Sequence, residues 1–153
     1  MARTVRLLGV PVDLYFDAAR HMGEIVREFA LISFGDRSGM NEHVPAGLLA
    51  LAGDLRKRYA RNAEAIRSTV EEAARAGEVS VDIEFPGDET AAELTERITE
   101  LLDAADEFCR SGDLLTLAAP PQMVAWRHWW RDQVVAQVRE GADPVAWTPM
   151  TQQ

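Results

Sequence analysis

The sequence predicts a predominantly helical α+β domain, with four main helices beside a small sheet of two or three short strands. The first two helices are long and are expected to pair as an antiparallel hairpin. Three observations carry this reading. Apolar residues recur at steps of three and four over two long stretches, the period drops to two between Val79 and Phe85, and Pro or Gly marks each change of pattern. A four-helix bundle is the alternative architecture. At 153 residues the chain is long enough for one hydrophobic core without disulfides or metals. The expected domain is residues 1–144, followed by an irregular tail over 145–153.

Thr4 to Val10 is rich in β-branched and aliphatic residues and runs into Pro11, so it reads as a short strand. From Val12, the residues Leu14, Ala18, Met22, Ile25, Phe29 and Ile32 repeat at helical spacing, with Asp13 as N-cap or first-turn acid. That helix ends at Gly35 in the loop GDRSGMNEHVP. A second helix then runs from Pro45 to Gly77. Its stripe includes Leu48, Leu51, Leu55, Tyr59, Ile66, Val70 and Ala73, while Lys57, Arg61, Glu64 and Glu71 fall opposite. Pro45 suits a first helical turn and Gly77 a left-handed terminus. The near-heptad spacing calls for a long apolar partner. It makes Asn62 and Thr69 seam residues, and two copies could dimerise through that seam.

Val79, Val81, Ile83 and Phe85 alternate with Ser80, Asp82 and Glu84, the pattern of a half-buried strand. Pro86-Gly87-Asp88 turns the chain, and Thr90 with Glu93 has capping-box spacing. The helix that follows carries the stripe Leu94, Ile98, Leu101, Ala105 and Phe108 and stops at Ser111-Gly112. Leu114 to Ala118 reads as a third short strand, in a right-handed parallel crossover from Val79. Pro120-Pro121 opens a last helix to about Arg139, closed by Gly141 and Pro144.

Composition narrows the function. The formal net charge of −9 argues against nucleic acid, because binding along a phosphate backbone depends on clustered Lys and Arg. No stretch approaches the roughly 20 apolar residues of a membrane span. The start MARTVRLLGV lacks the features of a signal peptide, so the expected location is cytoplasmic. The single cysteine, Cys109, lies among apolar residues and reads as a small hydrophobe.

Two surfaces stand out as candidates for binding. Glu93, Glu96, Glu100, Asp103 and Glu107 share one face of the third helix, where like charges repel by a few tenths of a kcal/mol per pair. A basic protein partner or arginines of this chain would relieve that repulsion, and a solvated face is the competing reading. In the last helix, Trp126, Trp129 and Trp130 share a broad arc with Gln133 and Gln137, a combination that can recognise a partner or a small apolar ligand. The competing reading completes the core with two of the tryptophans and satisfies the glutamines locally.

Asp17, His21, Glu24 and Glu28 line one face of the first helix, which raises a metal site. The order is His-x-x-Glu, however, with no second copy on a partner helix. Neither His43 nor His128 has a nucleophile at diagnostic spacing, and no phosphate-binding glycine motif is present. No cofactor is expected.

The segments VRLLGVPVDLY, REFALISFGD, HVPAGLLALAGDLRKRY, DEFCRSGDLLTLAAPP and WRHWWRDQVVAQV with PVAW are similar to small actinobacterial proteins found with partner-switching regulators, the anti-sigma kinases and STAS antagonists. The resemblance covers nearly the full length and implies signalling, with no catalytic residues to carry over. The expected function is therefore a non-enzymatic regulatory or sensory protein acting through protein contacts. The alternatives are a small-molecule sensor with a Trp-lined pocket and a metal-dependent enzyme using His21 and Glu24.

Overall fold

The computed structural model describes residues 3–34, 63–112 and 114–149. The expected loop from Gly35, the helix start at Pro45 and the seam residue Asn62 lie outside the described residues. The elements are β1 (Arg3–Pro11), α1 (Val12–Phe34), α2 (63–75 in the described part), β2 (Ser80–Gly87), α3 (Glu89–Arg110) and α4 (Pro121–Glu140). This is the predominantly helical α+β fold that the periodicities predict, with two strands in the sheet.

The first strand joins the strand from Val79, and the parallel crossover expected from Val79 to 114–118 is not formed. β1 pairs antiparallel with β2, in the register Val5 to Phe85, Leu7 to Ile83 and Val10 to Val81. Three steps on β1 match two on β2, so β1 carries a bulge. Gly9 sits there at φ +70, and its N–H reaches Asp82 Oδ1 at 2.9 Å. Pro11 ends the pairing opposite Ser80, where a missing N–H costs little. Pro86 and Gly87 extend β2 instead of turning the chain. A β-carbon on Gly87 would stand 2.6 Å from Val5 Cγ2, so the strand needs glycine to lie this close to its neighbours.

Leu114 to Ala118 is not a strand. Both oxygens of Glu28, on α1, take up its backbone donors: Leu115 N–H donates to Oε2 and Thr116 N–H to Oε1, each at 2.7 Å. With these amides satisfied by a side chain, the segment has no need of a neighbouring strand. It runs as an irregular strap over α1. The cap of α3 also shifts. Asp88 is the N-cap and accepts from Ala91 N–H at 2.9 Å, which places Thr90 inside the first turn in place of a Thr90–Glu93 capping box. α4 follows its expected bounds, with Gly141 as its left-handed terminus.

Two apolar clusters form the core. One joins Val5, Leu7, Val10, Val12, Tyr15, Ile66, Val70, Ala73, Ile83, Trp126 and Val134, and the other joins Ile25, Phe29, Leu101, Leu102, Ala105 and Leu114. The 23-residue helix α1 runs through both because its stripe continues for its whole length. Ile66, Val70 and Ala73 are buried, as the α2 stripe predicts. Irregular in backbone, the described part of the tail is nevertheless docked. Trp147 N–H donates to Leu8 O at 3.0 Å, and the Trp147 ring packs edge-on to Trp129 with centroids 5.7 Å apart. Among the described residues no helix is long and apolar enough to cross a membrane.

Candidate functional site

A partly enclosed cavity of about 130 Å³ opens where the two clusters meet. α1 lines it with Tyr15, Ala18, Ala19, His21 and Met22, α2 with Ala63 and Arg67, α3 with Thr95, Ile98, Thr99 and Leu102, and α4 with Trp126, Arg127 and Trp130. Helical repeat explains the placement. Positions 15, 18, 19 and 22 share one face of α1, as do 95, 98, 99 and 102 on α3, and 126 and 130 stand one turn apart on α4. A shallower groove of about 810 Å³ continues along α1 and α2 past Val26 and Glu71.

The aromatic wall is edge-packed. Trp126 meets Trp130 at 5.3 Å and 65°, and Tyr15 at 6.5 Å and 85°. Trp126 is 7% exposed, and its indole N–H is buried with no acceptor among the described residues. Burial pushes the Tyr15 hydroxyl above its ordinary pKa, opposed by the charge of Arg67 and by a hydrogen bond from it. Thr95 and Thr99 donate their hydroxyl protons to Ala91 O and Thr95 O, each at 2.8 Å, so neither offers a donor to the cavity.

Behind this wall lies a charged network, buried at Asp106 and Arg127 and partly exposed at Asp103 and His128. Asp106, 1% exposed, accepts from Arg127 Nη1 and from Ala119 N–H, both at 3.0 Å. Arg127 also donates to Asp103 at 2.8 Å, and Asp103 accepts from His128 Nε2 at 2.8 Å. His21 Nε2 donates to Leu117 O at 2.9 Å and stands 3.8 Å from Asp106 Oδ1. A carboxylate this deep needs such partners, since an unpaired buried charge is far more costly than a paired one. His21 and Arg127 therefore face two ways. They line the cavity, and directly or through Asp106 they hold the strap 114–119, on which Leu115 is 93% exposed and Leu117 83%.

The structure distributes the residues singled out in the sequence. On the acidic stripe, Asp103 is the partly exposed end of the Asp106–Arg127 network, Arg139 holds Glu96 at 2.7 Å, Glu107 pairs with Arg110, and Glu93 and Glu100 are exposed. Arginines of this chain thus neutralise part of the stripe. Trp126 and Trp130 wall the cavity. Trp129 instead donates to Val145 O at 3.0 Å and secures the tail.

Gln137 accepts from Arg6 N–H and donates to Arg6 O, both at 2.8 Å, taking the place of a third strand beside β1. Gln133 accepts from Gln137 and from Val145 N–H. On the α1 face, His21 and Glu28 are committed to the strap and Asp17 lies 3.7 Å from Arg20. Among the described residues no group of three His, Cys, Asp or Glu could hold a metal ion. The Cys109 thiol is pushed up to about 11, first by burial and then by the charges of Asp106 and Glu28, so it is not a thiolate at neutral pH.

Asp106 and Arg127 are the site residues that pattern reading missed. A faint signal exists for Asp106, which follows Ala92 and Thr99 at steps of seven and shares their buried face. Arg127 carries none, because it sits between tryptophans as a surface arginine would. Comparison of the chain with protein-family models, with curated proteins and with solved structures finds no match in any of the three.

Proposed function

We propose that this protein is a non-enzymatic regulatory domain that binds a small molecule in the Trp-walled cavity and reports its occupancy to a protein partner. One observation carries the proposal: His21 and Arg127, which line the cavity, also anchor the strap that presents Leu115 and Leu117 to solvent. A molecule displacing either side chain changes the tethering of a surface whose leucines are held out by backbone anchoring, and exposed apolar groups of that kind are available to a partner. The proposal keeps the setting expected in the sequence analysis, beside partner-switching regulators. The acidic stripe is a weaker docking surface than the sequence implies, since part of its charge is answered within the chain.

The test is a small-molecule screen by tryptophan emission and melting temperature, followed by amide exchange at residues 114–119. The expected result is a compound that raises the melting temperature and alters exchange at Leu115, Thr116 and Ala119. A screen without binders, or binders that leave the strap unchanged, refutes the proposal.

A further inference from the structure

We infer that the outer edge of β2 accepts an extended basic segment of a protein partner as a third strand, with Lys or Arg at alternate positions beside Asp82 and Glu84. This surface is independent of the cavity and lies outside the sensory reading. Backbone direction is the first argument. Arg6, opposite Glu84 in the sheet, turns its N–H and C=O away from β2 and onto Gln137. In an antiparallel ladder such a pair exchanges no bonds, so the Glu84 backbone points away from β1 as well. Val79, whose carbonyl accepts from Val12 N–H at 3.0 Å, turns the other way, as the alternation requires. Ser80, Asp82 and Glu84 therefore present their amides and carbonyls along the outer edge. All three are exposed, and the sheet has no further strand there among the described residues. Pro86 follows in the same phase without an N–H, which limits the pairing stretch to residues 80–84.

The opposite edge of the sheet is occupied. Gln137 holds Arg6 there, and Trp147 N–H donates to Leu8 O at 3.0 Å. An open edge is a template for pairing, and its charge decides what pairs. Residues 78–88 hold Glu78, Asp82, Glu84 and Asp88 and no Lys or Arg. Arg6 meets Glu84 Oε1 at 3.0 Å, and Asp82 Oδ1 accepts only the neutral Gly9 N–H at 2.9 Å. Like charges directly opposite across strands destabilise, and opposite charges stabilise. A second copy is thereby disfavoured, because antiparallel self-pairing about Asp82 or Ile83 sets Asp82 against Asp82 or Glu84 in a chain of net charge −9. A basic strand meets the same carboxylates with the favourable sign. Its intervening apolar side chains fall on the inner face, beside Val81 and Phe85, which pack partly buried against the core.

Fluorescence anisotropy of labelled peptides with the full chain tests the inference, and amide exchange locates the binding. The probes are a short peptide alternating Lys and Val, the same peptide with Glu for Lys, and the Lys peptide N-methylated at every amide. The Lys peptide is expected to bind and to slow exchange at the Asp82 and Glu84 amides, the Glu peptide to bind about tenfold or more weakly, and N-methylation to abolish binding. Asp82→Asn combined with Glu84→Gln keeps the acceptors for Gly9 and Arg6, so the fold is retained. It is expected to weaken the Lys peptide by about fivefold, the scale of two cross-strand charge pairs. Failure of the Lys peptide to bind, equal binding by the N-methylated peptide or to the double variant, or protection confined to residues outside 80–84 overturns the inference. So does slowing of the β2 amides with protein concentration alone, together with a dimer in sedimentation, because a second copy is then the occupant.

Discussion

Replacing Asp106 by Leu probes the joint between cavity and strap. The side chain is 2% exposed and makes two hydrogen bonds of 3.0 Å, one from Ala119 N–H and one from Arg127 Nη1. Losing the first leaves a buried amide unsatisfied, which costs about 1–3 kcal/mol. Losing the second costs less than the roughly 3–5 kcal/mol of breaking a buried ion pair, because Arg127 keeps Asp103 at 2.8 Å. The sum is about 3 kcal/mol, which in a domain of this size lowers the melting temperature by roughly 6–12 °C.

Thermal melts followed by circular dichroism give the number, and amide exchange locates the effect. Ala119 should lose protection, while Leu115 and Thr116, held independently by Glu28, should retain it. Adding Arg127→Met should recover part of the loss, since an apolar pair no longer buries a charge. A drop of less than about 2 °C would show that the network is not the joint inferred here.

Gln137→Ala removes both bonds to the Arg6 backbone and should cost about 1–3 kcal/mol in urea titration, with faster exchange at the Arg6 amide. Two glycines should respond oppositely to alanine. Gly87→Ala forces a β-carbon to within 2.6 Å of Val5 Cγ2 and 3.2 Å of Val138 Cγ2 and should destabilise by about 1–3 kcal/mol, whereas Gly23, helical with nothing within 4 Å, should gain about 0.5–1 kcal/mol by the same measurement. The Cys109 thiol, raised to about 11, should react with a disulfide reagent at pH 8 roughly a hundredfold more slowly than an ordinary thiol. Its rate should climb about tenfold per pH unit toward that value, because only the thiolate attacks.

Periodicity made the fold class and most element bounds legible. The stripes of α1, α3 and α4 and the alternation of β2 are local properties, set by which side chains must leave water and at what spacing. Trp126 and Trp130 were legible for the same reason, as neighbours one helical turn apart. Strand pairing was not, because a single carboxylate, Glu28, satisfies the backbone donors of Leu115 and Thr116 from 87 and 88 positions away, and no local pattern announces it.

The acidic stripe shows the same limit. Five like charges on one helix face read as a surface until α4 places Arg127, His128 and Arg139 against it. What the sequence alone determined was therefore the helices and the two strands that pair, and the face that each buries among the described residues. Tertiary structure decided which polar groups meet. It brought Tyr15 and Trp126 to one cavity and Asp106 and Arg127 to one network, since charge and hydrogen bonding act between neighbours in space and those neighbours come from helices distant in the chain.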